Sequence, residues 1–452
     1  MKVAFPRFSL VASLTLLSAS VSGCVAYQPA PIDIGQLSVS AHRAIALPSD
    51  SHGLLETALA HDPALQAARA RLIAAEAAVR SSKNLPPLSL NLTAEYSRDA
   101  DAQRPWLYGG SIGIPLDLGG RRDARVTSAE LAVLRARYDV GEAAWKVRQT
   151  VMQALSDLHT SRQQIDAIQG LLDQRNHLAA LINKRLAAGE DAHSQGLLAQ
   201  LDASGLIDGL LQARAKHAQA QASLARTLDV PVTDMELDID LNPPPVDPLS
   251  AARLTGLSNQ ALYTRADVLN AVVDYDVAEN DLRNAVANQY PDINIGPGYT
   301  WERGAVKLPL TASFTLPPLD GNRANIHQAE AARTAAGKAL EDQVKSTLAA
   351  IQQVALTYES DRAIADKVRK TDMPLAEDLA SRSSRLTQAG ETDQTENLAV
   401  QIAAAQTRLT LFLAEQATLD DRLNLEDTLH QSLDPAENEI LRAAVQPQEV
   451  KK

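Results

Sequence analysis

Over residues 88–97 apolar and polar positions alternate: Leu88, Leu90, Leu92, Ala94 and Tyr96 fall on one face, Ser89, Asn91, Thr93, Glu95 and Ser97 on the other. A period of two predicts a strand. Three further stretches alternate in the same way. Over 106–115, Trp106, Tyr108, Gly110, Ile112 and Ile114 oppose Gly109, Ser111 and Gly113. Over 292–301, Ile293, Ile295, Tyr299 and Trp301 oppose Asn294, Gly296, Gly298 and Thr300; over 306–315, Val306, Leu308, Leu310, Ala312 and Phe314 oppose Lys307, Thr311, Ser313 and Thr315. Each is about ten residues long, the length of a tilted strand that crosses a bilayer with lipid on one side and a polar lumen on the other. On that reading Leu88, Leu90, Leu92, Trp106, Tyr108, Ile293, Ile295, Tyr299, Trp301 and Phe314 face lipid, and the four Trp and Tyr residues among them suit an aromatic girdle. Two soluble hairpins with one face on a small core are the competing reading. Pro297 and Pro309 carry no amide hydrogen and should weaken the ladder where they fall.

The rest of the chain has helical periods. Val151, Leu158, Ile165, Leu172, Ala179 and Leu186 recur every seven residues, and Leu398, Ile402, Ala405, Leu409 and Phe412 keep a four-three rhythm, the spacing of coiled-coil seams. A helix over 122–187 would run roughly 95–100 Å at 1.5 Å per residue. Glycine breaks at Ala188-Gly189-Glu190 and Ala389-Gly390-Glu391 turn each long helix back on itself. The order short helix, strand pair, long helical hairpin is written twice, over 54–230 and again over 257–430. A Pro-rich linker at 231–256 separates the copies, and 431–452 reads as a polar C-terminal tail. Four strands cannot close a barrel, and lipid does not tolerate an open sheet edge. Membrane strands here therefore need oligomerisation, of two, three or more chains.

Composition adds two constraints. Aromatics are 4% of 452 residues and the net charge is -12, a balance that fits long helices and disfavours nucleic-acid partners. At the N-terminus, Lys2 and Arg7 precede an apolar run from Leu10 to Val21 and small residues before Cys24, the chain's one cysteine. That is a signal-peptide pattern over 1–23. Val21-Ser-Gly-Cys24 also resembles a bacterial lipobox, which implies a mature chain starting at a lipidated, palmitate-bearing Cys24, with an N-terminal extension to residue 53. Val25 rather than Asp after it implies sorting to the outer membrane.

No catalytic or metal constellation stands out: there is no HExxH, CxxC, GxSxG or phosphate loop, and the nine histidines are scattered. The reading is a non-enzyme without cofactor or resident metal.

Signal, duplicated unit and linker together resemble the TolC-type outer-membrane efflux factors along nearly the whole mature chain. Residues Tyr290-Pro-Asp-Ile-Asn-Ile-Gly-Pro-Gly-Tyr-Thr-Trp301, and Leu319-Asp-Gly-Asn-Arg323 followed by Ile326, Ala329 and Glu330, look most like the heavy-metal-efflux branch. The resemblance implies a mainly α fold with a membrane β-barrel contribution: a homotrimer in which four strands per chain close a 12-stranded barrel on an α-helical tunnel. It implies an exit duct in the outer membrane of a tripartite efflux pump, lipid-anchored with a long periplasmic portion. Its partners would be a periplasmic adaptor and an inner-membrane pump, with metal cations one candidate cargo. The hairpin tips then converge at a periplasmic gate, where Glu190, Asp191, Glu391 and Asp393 would form acidic rings favouring cations. A periplasmic adaptor lipoprotein, which should carry one hairpin between compact β domains, and a coiled-coil envelope scaffold are the alternatives.

Overall fold

In the computed structural model the chain divides into two compact units, Met1–Ala44 and Ile45–Lys452. The structure describes residues 27–32, 34–35, 47–48, 50–97, 105–116, 119–189, 192–232, 250–302 and 304–446. Cys24, Glu190, Asp191 and most of the linker lie outside these. In the second unit the elements run α1 (Ser51–His61), α2 (Pro63–Ser82), β1 (Ser89–Tyr96), β2 (Trp106–Leu116), α3 (Arg121–Ala187), α4 (His193–Leu228), α5 (Ala251–Thr264), α6 (Ala266–Ala287), β3 (Asp292–Glu302), β4 (Ala305–Lys307), β5 (Leu310–Thr315), α7 (Arg323–Lys367), a π turn (Val368–Asp372), α8 (Met373–Gln388), α9 (Gln394–Leu429) and α10 (Pro435–Val445).

Where one short helix is expected to open each copy there are two. Asp62 caps α2 by accepting from the Leu65 amide, and Pro63 occupies its first turn, so α1 must stop at His61. In the second copy Arg265 is extended between α5 and α6, its guanidinium donating to the Thr428 carbonyl and to Asp267. Helix α3 is 67 residues, about 100 Å. Its partner α4 has only 36, so the remaining length of α3 is covered by α2. The two partners abut midway along α3. Leu65 and Ala68 of α2 meet Leu224, Ala225 and Leu228 of α4 there, over Val140, Ala144, Val147, Val151 and Leu155 of α3, with Leu54, Leu55 and Ala58 of α1 wedged on top. The second copy repeats the junction with Leu425 and Leu429 of α9, Ile351, Ala355 and Tyr358 of α7 and Ala261 of α5.

The second long helix is not continuous. Pro374 cannot donate to a carbonyl one turn back and its ring crowds that carbonyl, and the π turn lies immediately upstream, widening the helix to accommodate it. Residues 431–446 also differ from the expected polar tail. Asp434 accepts from the Ala436 amide and Pro435 starts the helix, so α10 forms and packs on α1 and α3.

All strands pair antiparallel in the order β1-β2-β3, with β4 and β5 both on β3. The fourth alternating stretch is split at Leu308-Pro309: the Gly298 amide donates to the Pro309 carbonyl at 2.8 Å, and the ladder resumes at Leu310. Pro297, without a donor, leaves a gap between the Ser111–Gly298 and Ile114–Ile295 pairs of β2 and β3, but the register is unchanged across it. No helix among the described residues is long and apolar enough to cross a membrane.

Candidate functional site

The sheet has two chemically distinct faces, and the register assigns them. Leu90 pairs with Ile112, Leu92 with Gly110 and Tyr96 with Trp106. Tyr108 pairs in turn with Trp301, Gly110 with Tyr299 and Leu116 with Ile293, and Ile293 with Phe314. Paired residues point the same way. The apolar positions of every strand therefore form one continuous face, and Leu88 enters it just before β1. Much of that face is exposed: Leu92 is 78% accessible, Leu310 73% and Phe314 57%. Aromatic rings line one end of it. Tyr96 meets Trp106 edge-on at 5.1 Å, Trp106 stacks on Tyr108 at 5.8 Å, and Tyr108 on Trp301 at 6.1 Å. Tyr96 joins a girdle that the alternation assigned to four other residues, Tyr299 among them. The opposite face carries Ser89, Asn91, Thr93, Ser111, Asn294, Thr300, Thr311 and Ser313. It is tight as well as polar, since a Cβ on Gly296 would lie 2.4 Å from the Thr311 hydroxyl.

Helices grow out of the sheet through a staple between the copies. Arg121, first residue of α3, donates to the Tyr290 carbonyl at 2.6 Å and pairs with Asp292 at the start of β3. Two copies of one unit are thereby tied where strands become helices.

At the far ends of the hairpins the turns are built alike. Gly189 and Gly390 both adopt φ near +80°, which a side chain would resist. In the second tip the Gly390 amide donates to the Thr387 carbonyl and that of Glu391 to Leu386, closing α8 with a Schellman motif. Glu391 is exposed at this turn. Asp393 precedes α9 and receives Nη1 of Arg185, from the first copy's long helix, at 3.0 Å; the same guanidinium nitrogen reaches the Thr395 hydroxyl at 3.3 Å. Hydrogen bonding from Thr395 first, with backbone amides and the Arg185 charge, holds the Asp393 carboxyl below its ordinary value. The two tips are thus joined by an ion pair, and Asp393 is a compensated charge.

A third cluster escaped the sequence reading. Arg148, 2% exposed, lies in the apolar stripe of α3 and donates to Glu426 of α9, to Glu437 of α10 at 2.8 Å and to Ser432 at 3.1 Å. Glu426 also accepts from Arg422 and from the Leu433 amide. Burial works against the Arg148 charge, but the two carboxylates outweigh it and raise the guanidinium above its ordinary value. Beside it Trp145 donates to Asp427 at 2.8 Å and stacks on His430, whose other side meets Glu142. The partners are nearly 300 residues apart, so no spacing rule finds them. The one available signal was a basic residue at a core position of a helix.

Residues 54–229 match the family model described as outer membrane efflux protein. Over 357 residues the chain is 23% identical to the cobalt-zinc-cadmium resistance protein CzcC of Cupriavidus metallidurans, covering 76% of this chain and 81% of that one. Among solved structures it superposes on the outer-membrane channel OprN with a TM-score of 0.68 at 20% identity, covering 84% of this chain and 89% of that one. It also superposes on the outer membrane protein VceC from Vibrio cholerae with a TM-score of 0.66 at 19% identity, covering 85% and 97%.

Proposed function

We propose that this chain is an outer membrane efflux protein of the TolC type, and that three copies assemble into a passive exit duct that takes cargo from a periplasmic adaptor and an inner-membrane pump. One observation carries the assembly: the sheet joins a continuous, exposed apolar face to two unpaired edges, β1 and β5. Such a sheet is stable in lipid only when each β1 edge meets a β5 edge of the next copy. The helical layer has matching ends. Packing runs α4, α3, α9, then α7 and α8, and both outer members carry exposed leucines: Leu197 and Leu201 on α4, Leu375 and Leu379 on α8. With β4 and β5 counted as one interrupted strand, three such sheets make twelve strands, an even number within the range of membrane barrels. The ten apolar strand positions, Leu88 to Phe314, then face lipid and the Asn, Ser and Thr face lines the lumen.

Two hairpins on a single sheet depart from an adaptor, which should have one hairpin between compact β domains. A scaffold of coiled coils has no use for an exposed apolar sheet. In the duct the tips form the periplasmic gate, with Arg185–Asp393 tying the two hairpins of each copy and Glu190, Asp191 and Glu391 adding negative charge around the opening. Acid rings and the likeness to a cobalt-zinc-cadmium resistance protein support divalent metal cations as cargo. Cys24 is the lipid anchor.

The deciding experiment is reconstitution. Detergent-purified protein should run as a trimer and open discrete conductances in planar bilayers; a monomer that conducts nothing would refute the duct. Deleting the gene in its host should sensitise cells to cobalt, zinc or cadmium, and a deletion strain sensitised only to organic drugs would remove the metal assignment.

A further inference from the structure

Conduction makes no use of a cavity of about 320 Å³ bounded by α1, α3, α9 and α10. His52 in the first turn of α1, Asp434 at the cap of α10 and Glu437 in its first turn stand at its wall. One donor atom from each lies within 4.8 Å of the others. The closest pair, His52 Nε2 and Asp434 Oδ2, is 3.0 Å apart. Two ligands on a tetrahedral zinc ion, with bonds of 2.0–2.2 Å, are separated by about 3.3–3.6 Å, so this pair needs to part by only about half an ångström to share a coordination sphere.

The remaining atoms of these side chains are held by other bonds. Asp434 Oδ1 accepts from the Ala436 amide at 2.9 Å, which orients Oδ2 toward the imidazole. Glu437 Oε2 accepts from Arg148 at 2.8 Å and from the Ser432 hydroxyl at 2.7 Å, leaving Oε1 as the ligand atom. Charge favours a cation: two guanidiniums, Arg148 and Arg422, face three carboxylates, Glu426, Asp434 and Glu437, so one negative charge is left over when the imidazoles are neutral. An independent sign comes from α3. Ser156, 4% exposed, lines the same cavity, and its hydroxyl has no hydrogen-bond partner among the described residues. A buried hydroxyl without a partner marks the place of a polar occupant. The volume accommodates several waters at roughly 30 Å³ each, enough to complete a coordination shell.

We propose that His52, Asp434 and Glu437 bind one divalent transition-metal cation of the zinc and cobalt class, with its water ligands in the cavity toward Ser156. The imidazole selects this class over magnesium and calcium, which prefer all-oxygen shells. Bound there, the cation replaces the His52–Asp434 hydrogen bond and clips α1, at the start of the first copy, to the C-terminal helix. The site is separate from the lumen and does not depend on what the duct carries.

Full-length protein without a histidine tag, stripped of metal and kept in detergent, would be titrated with cobalt(II) chloride in visible absorption and with zinc chloride by calorimetry. The expected result is one saturable equivalent per chain, cobalt displaced by zinc, and a melting temperature raised by zinc but not by magnesium. His52→Gln and Asp434→Asn retain hydrogen-bonding and capping groups and should melt like the metal-free wild type, while losing the cobalt band and at least roughly tenfold in zinc affinity. His159→Ala, on the same wall but outside the triad, should bind as wild type. Wild-type protein with no saturable cobalt site, or variants titrating as the wild type does, would overturn the proposal. Conductance reports separately on the duct, so either reading can fail without the other.

Discussion

Arg148 shows how one residue can hold two copies of a unit together. It sits in the core of the first copy, and its carboxylate partners are Glu426 at the end of the second and Glu437 of α10 just beyond it. Removing one member of a buried ion pair leaves the other charge uncompensated. Arg148→Met should therefore cost about 3–5 kcal/mol, read as a lowered unfolding midpoint, although the thioether fills much of the same volume. Asp421 of α9 behaves oppositely. Burial, then the negative charge of Asp361 facing it from α7, pushes its carboxyl up to about 6 from 3.8. A raised acid penalises the fold only when ionised: the penalty is absent below 3.8 and complete above about 6. Asp421→Asn should accordingly raise the melting temperature at pH 8 and leave it nearly unchanged at pH 4. At the tip, Asp393 is lowered, so its pairing with Arg185 persists above the ordinary carboxylate value of 3.8 and fails only as pH drops through the lowered one. Arg185→Ala should raise open-state conductance in bilayers at neutral pH, and acidifying wild-type protein to pH 5 should not mimic it. An unaltered conductance in Arg185→Ala would place the gate elsewhere.

At the scale of the element, the strands test the orientation of the sheet. Leu90 and Asn91 are neighbours on β1 that point to opposite faces. Leu90→Arg places a charge in hydrocarbon, at roughly 2–4 kcal/mol near mid-membrane, whereas Asn91→Arg places one in a wet lumen. Trimer yield on native gels should fall sharply for the first and little for the second; equal losses would mean the faces are reversed or the sheet is not in lipid. The strands and their faces were legible because a period of two survives in any context that wets one side only. What alternation could not foresee was the break at Pro309, where the chain keeps its pairing partner but loses two ladder positions, Leu308 and Pro309. Nor could the heptads foresee the π turn, since they were read on other helices; Pro374 was the local sign, and the buried positions step by five residues from Val368 to Met373 across it.

For the whole molecule, the duplication is visible in matched detail. Gly189 and Gly390 close the long helices, Leu224 and Leu228 correspond to Leu425 and Leu429, and Asp229 and His430 both turn left-handed after them. Asn322 takes at the start of α7 the left-handed conformation that Gly120 takes before α3. Anchoring belongs to this scale too: Cys24→Ser should abolish palmitate labelling and cleavage before residue 24, while leaving channels that still conduct. Retained labelling would remove the lipid anchor. The sequence by itself determined where the strands and long helical hairpins lie and which strand faces are apolar, because periodicity and glycine or proline breaks act over a few residues and are written locally. Only the tertiary structure decided which charges meet. Arg148 with Glu426 and Glu437, Arg185 with Asp393, and His52 with Asp434 are brought together by the packing of one copy on the other and of α10 on the first, across separations at which sequence carries no distance information.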